Sequence, residues 1–246
     1  MREIGSLYAR IARTYVAWAG TLLPLALVVF VPLGLVHAIP VHLDAVSLDL
    51  RGGIEVLILA SAVLVLAATG LIGEVFYTGA VSIALTHPHG GEPPSLREVA
   101  GMVSYGRLIA VDLAFGALVA VGLVALVVPG VLAFVFLGLA APVVEIERRG
   151  FRDSFRRSFS LVRGHFWLVF WVLLPIELAG DGLTNLATAL AHDLLGDSLI
   201  AEWMTDTASN IVLTPFYAVA AVLLTLDLIA TRDGAAPRLH SAPAPG

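Results

Sequence analysis

Long apolar runs alternate with short arginine-bearing segments along this chain, and every arginine except Arg51 falls on the same side of that alternation. Few folds tolerate such a pattern. Six runs approach the roughly 20 apolar residues that a helix needs to cross a bilayer. They are Val16–Ile39, Ile54–Leu85, Leu108–Val128, Val131–Ile146, Phe166–Leu186 and Ile211–Ala230. Arg2, Arg10 and Arg13 precede the first run. Arg97 and Arg107 lie between the second and third. Arg148, Arg149, Arg152, Arg156, Arg157 and Arg163 lie between the fourth and fifth, and Arg232 and Arg238 follow the sixth. The other side holds Arg51 with Asp44, Asp49, Asp181, Asp193, Asp197, Glu202 and Asp206.

The positive-inside rule then places both termini and the arginine segments in the cytoplasm. An odd number of spans breaks the pattern, so six are expected. Composition agrees. Apolar residues make up 59% of the chain, charged residues 13%, and mean hydropathy is +0.93. A soluble domain carries about 25% charge. Without cysteine, disulfides, thiolate nucleophiles and Cys-based metal centres are excluded. The N-terminal run is longer than the roughly 7–15 residues of a signal-peptide core, so it reads as a retained first span.

Each cytoplasmic segment before an odd-numbered span reads as an amphipathic helix lying in the membrane plane. Ile4, Leu7, Tyr8, Ile11 and Tyr15 share a face in the first. In the second, Ser95 and Glu98 form a capping-box pattern ahead of Leu96, Val99, Ala100 and Val103. In the third, Phe151, Phe155, Phe159 and Val162 form a stripe beside Arg149, Arg152, Arg156 and Arg163. The expected fold is therefore an all-α integral membrane domain over residues 1–233. It has three transmembrane hairpins, each preceded by an in-plane helix, with a disordered Pro/Ala-rich tail over 234–246. Pro129-Gly130 is the turn expected between the third and fourth spans.

Ionisable residues inside spans are costly and mark candidate sites. Glu74, Asp112, Glu145 and Asp227 fall towards the cytoplasmic ends of four spans, where pairing with the arginines into a polar network is the expectation. Glu177 lies deeper from the outer side, two residues after Pro175, and is a candidate cavity residue. Pro24, Pro142 and Pro215 interrupt other spans. Arg149, Arg152, Arg156, Arg157 and Arg163 are candidate contacts for anionic lipid headgroups. His87-Pro88-His89, and His192 near Asp181, Asp193 and Asp197, match no metal-ligand spacing and read as solvated loops. Gly116, Ala120 and Gly138 are small enough to let helices approach closely.

The chain has no G-x-x-x-x-G-K loop, no H-E-x-x-H and no G-x-S-x-G elbow. These absences argue against an ATPase, a metalloprotease or a serine hydrolase. No catalytic residue, metal or cofactor is expected. Membrane lipids are the expected partners, with other membrane proteins or further copies of the chain open and nucleic acid excluded.

The stretch Ala141-Pro142-Val143-Val144-Glu145-Ile146-Glu147-Arg148-Arg149-Gly150, with Ser154-Phe155-Arg156-Arg157-Ser158-Phe159-Ser160-Leu161-Val162-Arg163-Gly164, resembles the membrane domain of some bacterial glycerophosphoryl diester phosphodiesterases and related six-span inner-membrane proteins. Pro215 and Leu226-Asp227-Leu228 also fit, while Thr225 stands near where that family has a tyrosine. In those enzymes the phosphodiesterase activity sits in a separate soluble barrel. The remaining segments here are too short to build one. The resemblance therefore implies a membrane module without the enzyme. The functional expectation is a non-catalytic module of the bacterial cytoplasmic membrane that scaffolds or regulates envelope or lipid-handling partners. The alternative is a transporter or permease for a lipid or small amphiphile.

Overall fold

The structure, a computed structural model, describes residues 2–42, 73–86, 94–195 and 199–234. Its elements are α1 (Arg2–His42), α2 (Glu74–Thr86), α3 (Leu96–Met102), α4 (Tyr105–Ala125), α5 (Val127–Leu137), α6 (Ala140–Ile146), α7 (Phe151–Val162), α8 (Phe166–Leu195) and α9 (Leu199–Asp233). No strand occurs among the described residues. Five stretches are long and apolar enough to cross a membrane: Ile4–Gly34, Tyr105–Ala125, Val127–Ile146, Phe166–Leu190 and Trp203–Asp233. The expected second span lies mostly outside the described residues, and its last part is α2. The His87–His89 loop and the tail beyond Gly234 also lie outside them.

Helix α9 is the centre of the bundle. Ala218 to Leu224 are fully buried, and α1, α8 and α2 pack around them. The outer surface is apolar. Val16, Leu27, Val28, Leu113, Val121, Leu178, Leu190 and Val212 are all more than half exposed. Apolar surface spread over so many helices is a liability in water. In a bilayer it faces acyl chains.

Two expectations are corrected. The first amphipathic segment is not a separate in-plane helix, because α1 runs unbroken for 41 residues, about 60 Å. Leu7 and Ile11 are buried in the same core that Leu22 and Ala26 enter, so burial continues through the segment and nothing turns the chain. The turn after α4 falls at Leu126, in extended backbone (φ −168°, ψ 144°), and not at Pro129-Gly130. Pro129 sits in the first turn of α5, where its missing N–H costs no helical hydrogen bond. Gly130 serves close approach instead: a Cβ on Gly122 would sit 2.7 Å from the Gly130 backbone. The fourth span is also jointed, at Gly138–Leu139 between α5 and α6. Pro142 cannot donate to the Gly138 carbonyl and its ring crowds it, which accounts for the joint.

Another proline is compensated by a side chain. Pro175 in α8 leaves the Trp171 carbonyl without its helical donor, and Tyr8 Oη of α1 donates to that oxygen at 2.9 Å. Near Pro215 in α9, Tyr15 Oη donates to the Val212 carbonyl at 3.1 Å. The tyrosines that the sequence places on one face of α1 thus tie it to α8 and α9. Of the small residues, Gly116 and Ala120 are buried, and a Cβ on Gly138 would meet Phe134 O at 2.8 Å and Leu173 at 3.3 Å. Gly138's close approach is made within this chain.

Candidate functional site

The arginine-rich end is built around the α6–α7 junction. Helix α6 ends where Arg148 turns left-handed (φ 55°). The freed carbonyls of Arg148 and Arg149 each accept from Arg107 Nη1 at 3.3 Å. Arg107 Nη2 also donates to Ser104 Oγ at 3.1 Å. Glu145, almost fully buried, accepts the Ser104 backbone N–H at 2.9 Å and so caps α4. A carboxylate is favoured there by the helix dipole.

Glu147 is the hub. Arg157 Nε donates to both of its oxygens, at 3.0 and 3.1 Å, and Nη2 donates to Oε1 at 2.8 Å. Arg157 also pairs with Asp233 at the end of α9, and Arg149 pairs with Glu147. Arg232 donates to the Ser160 carbonyl of α7. Desolvation lowers the Arg157 pKa, but the hydrogen bonds to Glu147 and Asp233 outweigh it and the net shift is upward. The guanidinium is permanently charged.

These bonds divide the five candidate headgroup arginines. Arg157 and Arg149 are engaged in ion pairs within the protein. Arg152, Arg156 and Arg163 are exposed, and no carboxylate among the described residues pairs with them. The Phe stripe is not the buried face of α7. Ser154, Ser158, Leu161 and Val162 form the buried face of α7, and Ser158 Oγ donates to the Phe136 carbonyl at 2.7 Å. Small serines let α7 sit close against α5. The phenylalanines are left at the margin: Phe155 is half-buried, Phe151 and Phe159 exposed. Phe159 stacks on Phe136, and the aromatic run continues through Phe166, Trp167, Phe170 and Trp171. Trp167 and Trp171 are 66% and 53% exposed.

The four span carboxylates do not form one network with the arginines. Asp227 pairs with Arg10 of α1. Glu145 caps α4. Asp112 accepts the Gly73 N–H at 2.8 Å, at the start of α2. Gly73 has φ +98°, a conformation that a side chain would strain. Glu74 instead lines a chamber of about 30 Å³ with Glu177, the candidate cavity residue. Asp181, Asn210, Thr214 and Tyr217 share that chamber and were missed. Their spacing was a legible signal. Residues 177, 181 and 184 on α8, and 210, 214 and 217 on α9, each repeat at i, i+4, i+7 and so occupy one helical face.

A second hollow, of about 410 Å³, is largely apolar. Leu25, Val29, Leu33, Phe76, Val103 and Leu113 are among the residues that line it, with Asp112 the one carboxylate among them. No three acidic or histidine side chains among the described residues stand close enough to chelate a metal. Comparison with protein-family models, with characterised proteins and with solved structures finds no match for this chain.

Proposed function

We propose that this protein is a non-catalytic multi-pass module of the bacterial cytoplasmic membrane. Its arginine–aromatic face holds anionic lipid at the inner leaflet, and it scaffolds or regulates envelope or lipid-handling partners there. One observation carries the reading. Arg152 and Arg156 on α7, and Arg163 just after it, have no counter-charge among the described residues and stand next to an aromatic run in which Phe159, Trp167 and Trp171 are exposed. Aromatic rings settle at the headgroup level of a bilayer, and basic side chains beside them meet lipid phosphate. Asp153 lies in the first turn of α7, where it complements the helix dipole. Glu145 is taken up in a cap and Glu147 and Asp233 in ion pairs, so none of these carboxylates is left free to pair with a base in a cleft. The likeness to the membrane domain of glycerophosphoryl diester phosphodiesterases agrees with a module of this kind.

Trp167 and Trp171 report directly on the neighbouring lipid. In a Trp18→Phe/Trp203→Phe background, the full chain is reconstituted into phosphatidylcholine vesicles carrying brominated phosphatidylglycerol or brominated phosphatidylcholine. The anionic quencher is expected to be the stronger. Replacing Arg152, Arg156 and Arg163 by Gln should remove the preference, at about 1 kcal/mol per arginine. Equal quenching by both lipids in the unsubstituted protein rejects the reading.

A permease for a lipid or small amphiphile is the second reading. The apolar hollow beside Leu113 favours it, because exposed Val28, Ile109 and Leu113 open that wall towards acyl chains. It predicts that brominated acyl chains reach a tryptophan placed at Val29.

A further inference from the structure

The chamber between α2, α8 and α9 gathers three carboxyl groups that no basic side chain among the described residues balances. Glu74 and Glu177 are half-buried and Asp181 is exposed at the rim. None of the three makes a hydrogen bond or ion pair with another described residue. The charged neighbours that Glu74 meets are Glu177, Asp181 and Asp112, all acidic, and Asp112 is turned towards the Gly73 N–H. No arginine or histidine among the described residues lines the space. A second observation is independent of charge. Tyr217 is 5% exposed, yet its hydroxyl has no hydrogen-bond partner among the described residues. Tyr217 is one of the residues that line the chamber. A buried polar group left this way ordinarily marks a missing partner.

The size and chemistry of the space select the occupant. About 30 Å³ holds a single water-sized body and no organic substrate. Every polar ligand on offer but the Asn210 amide nitrogen is oxygen, which suits hard cations. The acidic groups are too dispersed to chelate a divalent metal together. Two carboxylates alone repel one another. A cation midway between them adds two attractions at half the separation, and the arrangement becomes strongly favourable where the dielectric is low.

We propose that the chamber binds one alkali-metal cation of sodium size, held between the carboxylates of Glu74 and Glu177 with side-chain oxygens of α9 completing the shell. The site goes beyond the lipid reading and does not rest on it. It ties three helices together, so its occupancy stabilises the bundle.

The test is thermal unfolding of the full chain in phosphatidylcholine nanodiscs at constant ionic strength, with NaCl, LiCl or KCl exchanged for choline chloride. At a sodium concentration a hundredfold above Kd, the midpoint should rise by about 5–10 °C over choline. Glu177→Gln should abolish the rise and Tyr217→Phe should reduce it, while Asp153→Asn, outside the chamber, should keep it. Equal midpoints in choline and all three alkali salts overturn the proposal. So does a rise that survives Glu177→Gln, because that is a general salt effect. Stabilisation by lower pH alone, with no alkali dependence, assigns the chamber to a proton and also overturns it. If Glu177→Gln does not fold, the choline comparison on the unsubstituted protein and Tyr217→Phe still decide.

Discussion

Removing the Arg157 side chain should unlock the arginine-rich end. Arg157 makes three hydrogen bonds of 2.8–3.1 Å to Glu147 and a further ion pair to Asp233, so one guanidinium joins α6, α7 and α9. Its side chain is 13% exposed and that of Glu147 15%, so solvent screens the pair only partly. Breaking a fully buried pair costs about 3–5 kcal/mol, much of it from the charge left behind. Glu147 keeps Arg149 after the change, and Asp233 is 41% exposed and rehydrates. The expected loss for Arg157→Ala is therefore lower, about 2–3 kcal/mol. Arg157→Lys keeps the charge but not the planar fork, and should lose about half as much. Arg157→Met with Glu147→Gln should recover part of the loss, since the stranded charge is then gone. Reversible unfolding in mixed micelles, followed by circular dichroism, gives the three values. If Arg157→Ala and Arg157→Lys both stay within about 0.5 kcal/mol of the parent, the size expected of a neutral surface change, the clamp reasoning is wrong.

Other perturbations test other parts of the fold. Tyr8→Phe strands the Trp171 carbonyl and should cost about 1 kcal/mol, and Pro175→Ala should cancel most of that cost in a double-mutant cycle. Gly122→Ala forces α4 and α5 apart and should destabilise the hairpin by about 1–3 kcal/mol in the same unfolding assay. Asp112→Ala removes the cap on α2 and should cost about 1–2 kcal/mol, with Asp112→Asn retaining much of the stability. Hydrogen exchange should speed at residues 74–78 in the alanine variant and nowhere else.

The parts of the fold legible in sequence were those set by a single strong signal. Five of the six spans followed from apolar length, the second lying mostly outside the described residues, and the capping box at Ser95 and Glu98 is formed as the motif implies. What sequence missed depended on which of two compatible signals prevailed. Pro129-Gly130 reads equally as a turn or as the first turn of a helix, and the contact between Gly122 and Gly130 favoured the helix. On α7, the Phe periodicity marked an apolar stripe but did not say whether it faces lipid or the bundle. Close packing against α5 needed the smaller Ser154 and Ser158 at the contact, and rings at an apolar boundary lose little by staying outside. The carboxylates were expected to seek arginines. Glu145 and Asp112 bind backbone N–H groups instead, because a helix start inside an apolar bundle has no water to satisfy it. The chamber escaped notice because its residues come from three helices far apart in sequence, although the shared i, i+4, i+7 spacing on α8 and α9 pointed to facing polar stripes.

The account depends most on the arginine-rich face lying against the inner leaflet. The chain has no cysteine, so single thiols can be placed without background. Arg152→Cys and Asp197→Cys are each exposed to a membrane-impermeant maleimide on intact cells, then again after lysis. The account predicts labelling at position 197 on intact cells, and at position 152 only once the membrane is opened. Labelling at 152 but not at 197 before lysis contradicts it.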